Sequence, residues 1–420
     1  MPFKFRYGAK FVETLALLND AKQWSYDKSK SFQLQALKDV LKYSANIPYY
    51  KRLFRDNGFD YNIKDFDQLK NLPPLKKELI IKNFNSLSHP NYPHKKYDMH
   101  TSGTTGTRLH ILGTDDLFKV ECAFITNAHN DHGSNLYADH SIWIRRYSPQ
   151  TGDPIFRDDI ELNRSYMSAF DLNDDTIFDY IRYINNKKSK ILVSYPSTIY
   201  YLAVLCEKHN LELKHVKYLH GASEMCLDQW SDKIKSVFGT ELKMHYGQVE
   251  KASFAHQASE NNLYKENLLY SYNELADDNT FIGTVFHNYL MPLIRYKTND
   301  VIVKNPNAVL DSAFPKTILK INGRNGDMLI TEKDSLVPAV NFYSFMSKLN
   351  FVDMFQITQQ KNNKSVKFYI VPNKKFNKNN EKLLYTEMHN RLGDVPISIL
   401  KKKHIRRDKN TSKFKAVRVI

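Results

Sequence analysis

The chain has 420 residues, 42% of them hydrophobic and 13% aromatic, enough to bury a large core and to divide into two or more domains. Three separated cysteines, Cys122, Cys206 and Cys226, exclude a disulfide framework and a Cys-x-x-Cys zinc site, and no apolar run approaches the roughly 18 residues of a membrane span. The formal charge of +16 leaves nucleic acid, an anionic surface and phosphate-bearing small molecules open as partners, so composition alone does not choose among them.

Helical spacing of apolar residues predicts helices over 11–24 and from Ser31 towards Tyr50, the second stopping near Asn46-Ile47-Pro48 because the residue before a proline is pushed out of the α region. Leu72-Pro73-Pro74-Leu75 breaks the chain again, ahead of a helix from about Lys76. Then comes Thr101-Ser102-Gly103-Thr104-Thr105-Gly106, six small residues that are hydroxyl-bearing or glycine. Glycines let the backbone approach a bulky anion, and hydroxyls with exposed N–H groups ring it with donors. The P-loop pattern is absent, yet the composition is that of a phosphate-handling loop.

Beyond it, β-like runs at 141–144, 191–193 and 217–219 alternate with helical stretches, one of them from Thr198 to Glu207, which predicts α/β layers with ligand groups on loops at strand ends. Near Gly323-Arg324-Asn325-Gly326-Asp327 the pattern changes. The remainder shows one clear β-like run, 366–371, and a helical stretch through Glu381-Lys382-Leu383-Leu384. Six Lys and three Arg crowd the last twenty residues against the single acid Asp408, a solvated basic tail.

Several segments in fixed order resemble the phenylacetate-CoA ligase-like family of the adenylate-forming (AMP-binding) superfamily, and within it the branch tied to capsular polysaccharide biosynthesis. They are Asn46-Ile47-Pro48-Tyr49-Tyr50, Leu72-Pro73-Pro74-Leu75-Lys76-Lys77-Glu78, the 101–106 loop, Tyr195-Pro196-Ser197, Gly221-Ala222-Ser223-Glu224, Tyr246-Gly247-Gln248-Val249-Glu250, 292–300, Gly323-Arg324 and Ser412-Lys413-Phe414-Lys415. The resemblance implies an α/β protein with a large multi-layer N-terminal adenylation domain, residues 1–323 with a helical segment over about 1–95, and a small α+β C-terminal lid domain, residues 324–420. It also implies an ATP-dependent reaction in which a carboxylate attacks the α-phosphate, pyrophosphate leaves, and an acceptor captures the acyl-adenylate.

Residue by residue, the resemblance gives Thr101, Ser102, Gly103, Thr104, Thr105 and Gly106 the β- and γ-phosphates, with Thr104 and Thr105 catalytic. Glu250 would hold Mg²⁺, a hard cation suited to carboxylate and phosphate oxygens. Tyr246 beside Gly247 would stack on adenine, and Gly221, Ala222, Ser223 and Glu224 would present backbone to its edge. Asp300 would accept the ribose hydroxyls, with Arg324 adding a ribose or phosphate contact. Lys413 would bridge the developing charge on carboxylate and α-phosphate.

The chain departs from the family pattern at Val249, Gly326 and Ser412, and 252–257 offers only His256 where some relatives carry a cysteine-rich metal site, so no zinc is expected. The stretch Trp143-Ile144-Arg145-Arg146-Tyr147 sets adjacent arginines among aromatics, suited to an anionic or sugar-bearing acid. Arg145, Arg146, Tyr195 and His245 are therefore the substrate-binding candidates. If the stretch is a strand, at most one of the two arginines faces a shared site.

The partners implied are a small-molecule carboxylic acid and an acceptor, whether a nucleotide-sugar, an amine or coenzyme A. No nucleic-acid module and no integral membrane segment is recognised, Met1 to Arg6 lead into no signal core, and a cytoplasmic location is expected. A homodimer is left open. An aryl- or acyl-CoA ligase and a non-catalytic nucleotide-binding protein of the same fold stand as alternatives.

Overall fold

Helical spacing does organise the N-terminal part, with boundaries set by local chemistry. In the computed structural model, which describes residues 3–101, 109–136, 138–145, 147, 155–324, 328–338, 342, 345, 346, 349–405 and 414–420, α1 (Phe3–Ala21) carries a kink at Gly8, whose φ of 76° suits glycine. Helix α2 (Tyr26–Ser44) starts five residues before the expected Ser31, because the Ser25 side chain accepts the Lys28 N–H and caps it. Pro48 does end that helical run. It also opens a new one, α3 (Pro48–Asp56), since its fixed φ and missing N–H suit a first helical turn. Helix α4 (Lys77–Leu87) follows the Pro73-Pro74 break.

Strands β1 (Lys96–His100) and β2 (His110–Thr114) pair antiparallel. Next to them the Thr101 N–H donates to the Leu109 carbonyl, and the Leu109 N–H donates to Thr101 Oγ1 at 2.9 Å. Helix α5 (Asp115–Asp131), capped by Thr114, then crosses towards the main sheet.

That sheet has twelve strands: β3 (Ser141–Arg145), β4 (Phe156–Asp159), β5 (Arg164–Ser168), β6 (Ile191–Ser194), β7 (Tyr218–Ala222), β8 (Leu242–Gly247), β9 (Phe254–Gln257), β10 (Tyr264–Glu266), β11 (Ser271–Leu275), β12 (Thr280–Val285), β13 (Tyr296–Lys304) and β14 (Ile318–Arg324). Their spatial order is β11-β12-β13-β14-β10-β9-β8-β7-β6-β3-β5-β4. The block β5-β3-β6-β7-β8 is parallel, the remaining pairs antiparallel. Helices α6 (Ile177–Lys187), α7 (Pro196–His209) and α8 (Asp228–Phe238) connect the parallel strands. Their buried faces, Tyr180, Ile184, Leu202, Leu205, Trp230 and Ile234 among them, form one core with Ile142, Ile144, Leu192 and Leu219 of the sheet.

After the small hairpin β15 (Met328–Ile330) and β16 (Leu336–Pro338), a four-stranded sheet of order β19-β18-β17-β20 is built from β17 (Val352–Gln359), β18 (Val366–Pro372), β19 (Ile397–Lys401) and β20 (Val417–Val419), with α9 (Lys378–Leu392) beside it. Only β18 and α9 were expected from the sequence. β17 carries Gln356 and Gln359 among its apolar residues, and both are buried because partners satisfy them: Gln359 bonds both the N–H and the carbonyl of Ile330 at 2.7 Å. β20 is a strand only because it pairs in parallel with β17, about sixty residues earlier in the chain.

The N-terminal helices have a definite task. Tyr50, fully buried, donates its hydroxyl to the Pro292 carbonyl at 2.7 Å and accepts the Ile294 N–H at 3.1 Å. Leu75 lies parallel to the same segment, its N–H on the Arg295 carbonyl and its carbonyl receiving the Lys297 N–H. Tyr50→Phe would orphan two buried backbone groups, each costing about 1–3 kcal/mol. Urea unfolding is therefore expected to show a lower midpoint with an unchanged slope, and an unaltered midpoint would contradict this bracing role.

Candidate functional site

The C-terminal ends of β7 and β8 and the turn after β8 gather most of the candidate residues. Gly221 sits where a Cβ would lie 2.4 Å from the Met244 sulfur and 3.3 Å from Pro196, so only glycine lets β7 pass β8 and the start of α7 this closely. Ser223 then turns with φ of 71° and delivers Glu224. The Glu224 carboxylate is committed at both oxygens: Oε2 accepts Ser197 Oγ at 2.6 Å and the Ser197 N–H at 3.3 Å, and Oε1 accepts the Phe414 N–H at 2.7 Å. It thus pins the residue following Lys413 to the first turn of α7. The role that sequence reasoning gave to this segment concerned its backbone; nothing in the sequence signalled the carboxylate's clamp.

Tyr246, at the end of β8, donates its hydroxyl to Asp300 Oδ2 at 2.7 Å while its ring tilts against Phe281. Burial, then the Asp300 charge, hold the Tyr246 phenol well above its usual range. Gln248 reaches the same two groups through Nε2, and its Oε1 accepts the Ser253 N–H, which closes the turn between β8 and β9. One oxygen of Asp300 is therefore already engaged by protein donors. Asp300 faces Arg324 in register across β13 and β14, so the backbone brings the two ribose candidates together.

Glu250 is 7% exposed. Its Oε1 accepts the Tyr296 hydroxyl at 3.1 Å, and its Oε2, buried, has no hydrogen-bond partner among the described residues. A buried carboxylate oxygen without a donor is costly, and a hard cation is the group that suits it. Tyr296 and Gln248 lie within motifs that the sequence singled out but were given no role there, because their roles arise from strands and turns that meet only in three dimensions.

Arg145, at the tip of β3, lies over the Tyr195 ring, its guanidinium carbon 4.6 Å from the centroid. His245 is near enough that burial first, and the Arg145 charge next, push its imidazole down to about 3. Ser102, Gly103, Thr104, Thr105, Gly106, Arg146, Gly326, Ser412 and Lys413 lie outside the described residues, and of Arg324 only the backbone is described. Among the described residues no cluster of three or more His, Cys, Asp or Glu is arranged to hold a metal ion. Magnesium needs no such cluster, since one carboxylate with substrate phosphates is a usual set.

Behind the site, five histidines escaped the sequence reading as a group: His129 and His132 on α5 or at its end, His220 on β7, His245 on β8 and His256 on β9. The His129 and His220 rings are 3.7 Å apart at their centroids, and His220 shares a 2.8 Å hydrogen bond with Ser134. Burial lowers all five, His132 to about 4 and His245 to about 3, although Asp131 opposes it at His256 and the Gln257 carbonyl opposes it at His132. The folded state therefore keeps them neutral where the unfolded chain binds protons. Stability is complete above about pH 6.5 and falls as pH drops through 6.5 towards 4, at about 1.4 kcal/mol per pH unit for each histidine excluded from protonation. Thermal melts between pH 7 and 4.5 should show the midpoint falling on acidification, and His132→Gln should flatten that slope. A flat profile in the parent protein would refute the neutral cluster.

Residues 329–418 match the CapK C-terminal domain family. The chain is 23% identical over 348 residues to protein CapK of Staphylococcus aureus, covering 80% of this chain and 76% of that protein. Its fold superposes on a 2-hydroxyisobutyryl-CoA ligase in the postadenylation state with 2-HIB-AMP at a TM-score of 0.73 and 14% identity, over 95% of this chain and 90% of that one. With the same ligase in its thioesterification state, the TM-score is 0.59 at 15% identity, over 95% and 91% of the two chains. Residues 329–418 thus match the CapK C-terminal domain family, in a chain whose fold is similar to that of a 2-hydroxyisobutyryl-CoA ligase.

Proposed function

We propose that this protein is an ATP-dependent, AMP-forming ligase that activates a carboxylic acid as its acyl-adenylate and passes the acyl group to an amine, hydroxyl or thiol, in the synthesis of capsular or other surface polysaccharide. The observation that carries the reading is Glu250, a buried carboxylate with one oxygen lacking a protein partner, one turn from the Tyr246–Asp300 pair. The polysaccharide setting is supported by the CapK C-terminal domain and by the likeness to protein CapK.

In this reading the loop 101–106 cradles the β- and γ-phosphates, its ends drawn together by Thr101 and Leu109. Asp300 receives the ribose, and Tyr246, oriented by Asp300 and Gln248, borders the adenine. The acid's carboxylate oxygen bonds to the α-phosphorus as the bond to the bridging oxygen breaks and pyrophosphate departs. Lys413, following the lid boundary we place at 323/324, stabilises the charge that develops between them. Mg²⁺, held by Glu250 and the phosphates, would supply charge neutralisation. The acceptor then attacks the acyl carbon, and AMP leaves.

A second reading, an acyl-CoA ligase, shares every residue above and differs only in the acceptor. It is supported by the resemblance of the fold to a 2-hydroxyisobutyryl-CoA ligase solved with 2-HIB-AMP and CoA. Trapping the adenylate with hydroxylamine, then supplying coenzyme A or an amino sugar nucleotide to the wild-type enzyme, separates the two.

Glu250→Gln removes a charge that matters most in the transition state, so acid-dependent pyrophosphate release is expected to drop by about tenfold or more. Undiminished release would reject the assignment. Lys413→Ala should abolish that release while ATP still binds in calorimetry and while transfer from a supplied acyl-adenylate persists. Lys415→Ala, which removes the same charge two residues away, should do far less. Equal defects would mean that the basic tail acts as a diffuse electrostatic surface.

A further inference from the structure

The parallel block of the sheet contains one place where the winding reverses. From β3 the chain proceeds to β5 on one side, and from β6 it proceeds through α7 to β7 on the other, although β3 and β6 are adjacent. Connections that leave neighbouring strands in opposite directions open a crevice above their C-terminal ends, the usual ligand position in such sheets. Two residues stand at that crevice: Arg145, the last of β3, and Tyr195, which follows β6.

The guanidinium of Arg145 is held by its faces. Its central carbon lies 4.6 Å from the Tyr195 ring centroid and 5.7 Å from that of Trp143, which precedes it by two residues and so shares its side of the strand. Aromatic packing of this kind fixes the plane and leaves the edge, where the N–H donors are, to do the recognising. At that edge Nε is buried and has no hydrogen-bond partner among the described residues. No carboxylate of the described residues forms an ion pair with Arg145. After burial, the groups that act on its charge are Tyr195, through its own charge and a side-chain hydrogen bond, and then Glu224, which is itself tied by hydrogen bonds to Ser197 and Phe414. His245 alongside is held neutral, so it neither competes with Arg145 for an anion nor compensates its charge. Its Nδ1 is likewise buried without a partner among the described residues.

A cation whose faces are covered and whose buried Nε has no partner among the described residues gains when an oxyanion completes it. We infer that Arg145 reads a second, non-reacting oxyanion on the acid, so that the substrate class is a carboxylic acid bearing a further carboxylate or a phosphate. The inference rests on the adenylation reading for the identity of the ligand and adds to it which acids are chosen. Arg145 is a specificity residue here: it touches the substrate's distal group and takes no part in the transfer.

ATP–pyrophosphate exchange on the full chain tests this with matched acids. Succinate and glutarate are paired with their monomethyl esters, and 3-phosphoglycerate with glycerate. The wild type should prefer the doubly charged member of at least one pair by roughly tenfold or more in kcat/KM, expressed through KM. A preference within the carboxylate pairs identifies a dicarboxylic acid, and one within the phosphate pair identifies a phosphorylated acid. Arg145→Met should collapse the preferred ratio towards one, and Arg145→Lys, which keeps the charge without the fork, should retain part of it. Unchanged ATP affinity and melting midpoint in both variants show that the fold survives. Equal use of the members of every pair by the wild type, or a preference that persists in Arg145→Met, overturns the inference and leaves adenylation standing. Absence of exchange with every acid, while ATP still binds, overturns adenylation and this inference with it.

Discussion

The segment 292–297 is the constraint on which the site depends. It carries Tyr296, the partner of Glu250, at the start of the strand that bears Asp300, yet residues 292–295 are irregular backbone in the interior and must have their polar groups satisfied from outside. Tyr50 supplies two of those bonds and Leu75 two more. Arg295 completes the brace. With φ of 51°, it sends its side chain back to Glu274 in a bidentate pair, at 2.9 and 3.0 Å, and to the carbonyls of Lys70 and Leu72. Only 10% and 8% of the two side chains remain exposed, so losing either partner would leave an uncompensated charge in the core. The N-terminal helices are therefore a scaffold for the segment that carries Tyr296 and leads to Asp300.

Around the site most buried polar groups are matched within the protein. Tyr246, Gln248 and Asp300 satisfy one another, and Glu224 is bound on both oxygens. Among the buried atoms without a partner in the described residues, which also include His245 Nδ1 and Ser253 Oγ, Glu250 Oε2 and Arg145 Nε are an acceptor and a donor of opposite charge. One suits a cation with phosphates, the other an oxyanion, which is the polarity that an acid and a nucleotide would bring to two sides of one crevice.

Glu224 also links the site to the C-terminal domain. Phe414 gives it a backbone N–H and packs edge-on against Trp230, while Tyr200 of α7 donates to the Asp353 carbonyl at 2.6 Å. The contact area thus runs along α7 and α8, and the tail that contains Lys413 is anchored one residue beyond it. Glycine is needed at another close approach on the other side: a Cβ on Gly283 would lie 2.2 Å from the Ala252 carbonyl, so β12 can pack under the turn that carries Glu250 only without a side chain there.

The sequence by itself determined what local chemistry determines. The proline breaks, the helical faces, the alternation of β6, α7 and β7, and the donor-rich loop at 101–106 all follow from residues close together in the chain. The family resemblance, rather than local chemistry, singled out Tyr246, Glu250 and Asp300, and the aromatic neighbours singled out Arg145; that Tyr246 bonds Asp300 was decided by the meeting of β8 and β13. Tertiary structure decided the rest. β17 and β20 became strands through pairing across about sixty residues, and the buried glutamines of β17 read as polar until Ile330 met one of them. Arg295 looked like one charge in a basic chain until Glu274 and the 70–72 carbonyls surrounded it, and five histidines scattered from 129 to 256 became one buried group only when α5 crossed the sheet. Each of these depends on partners far away in sequence, where no periodicity or spacing carries the information.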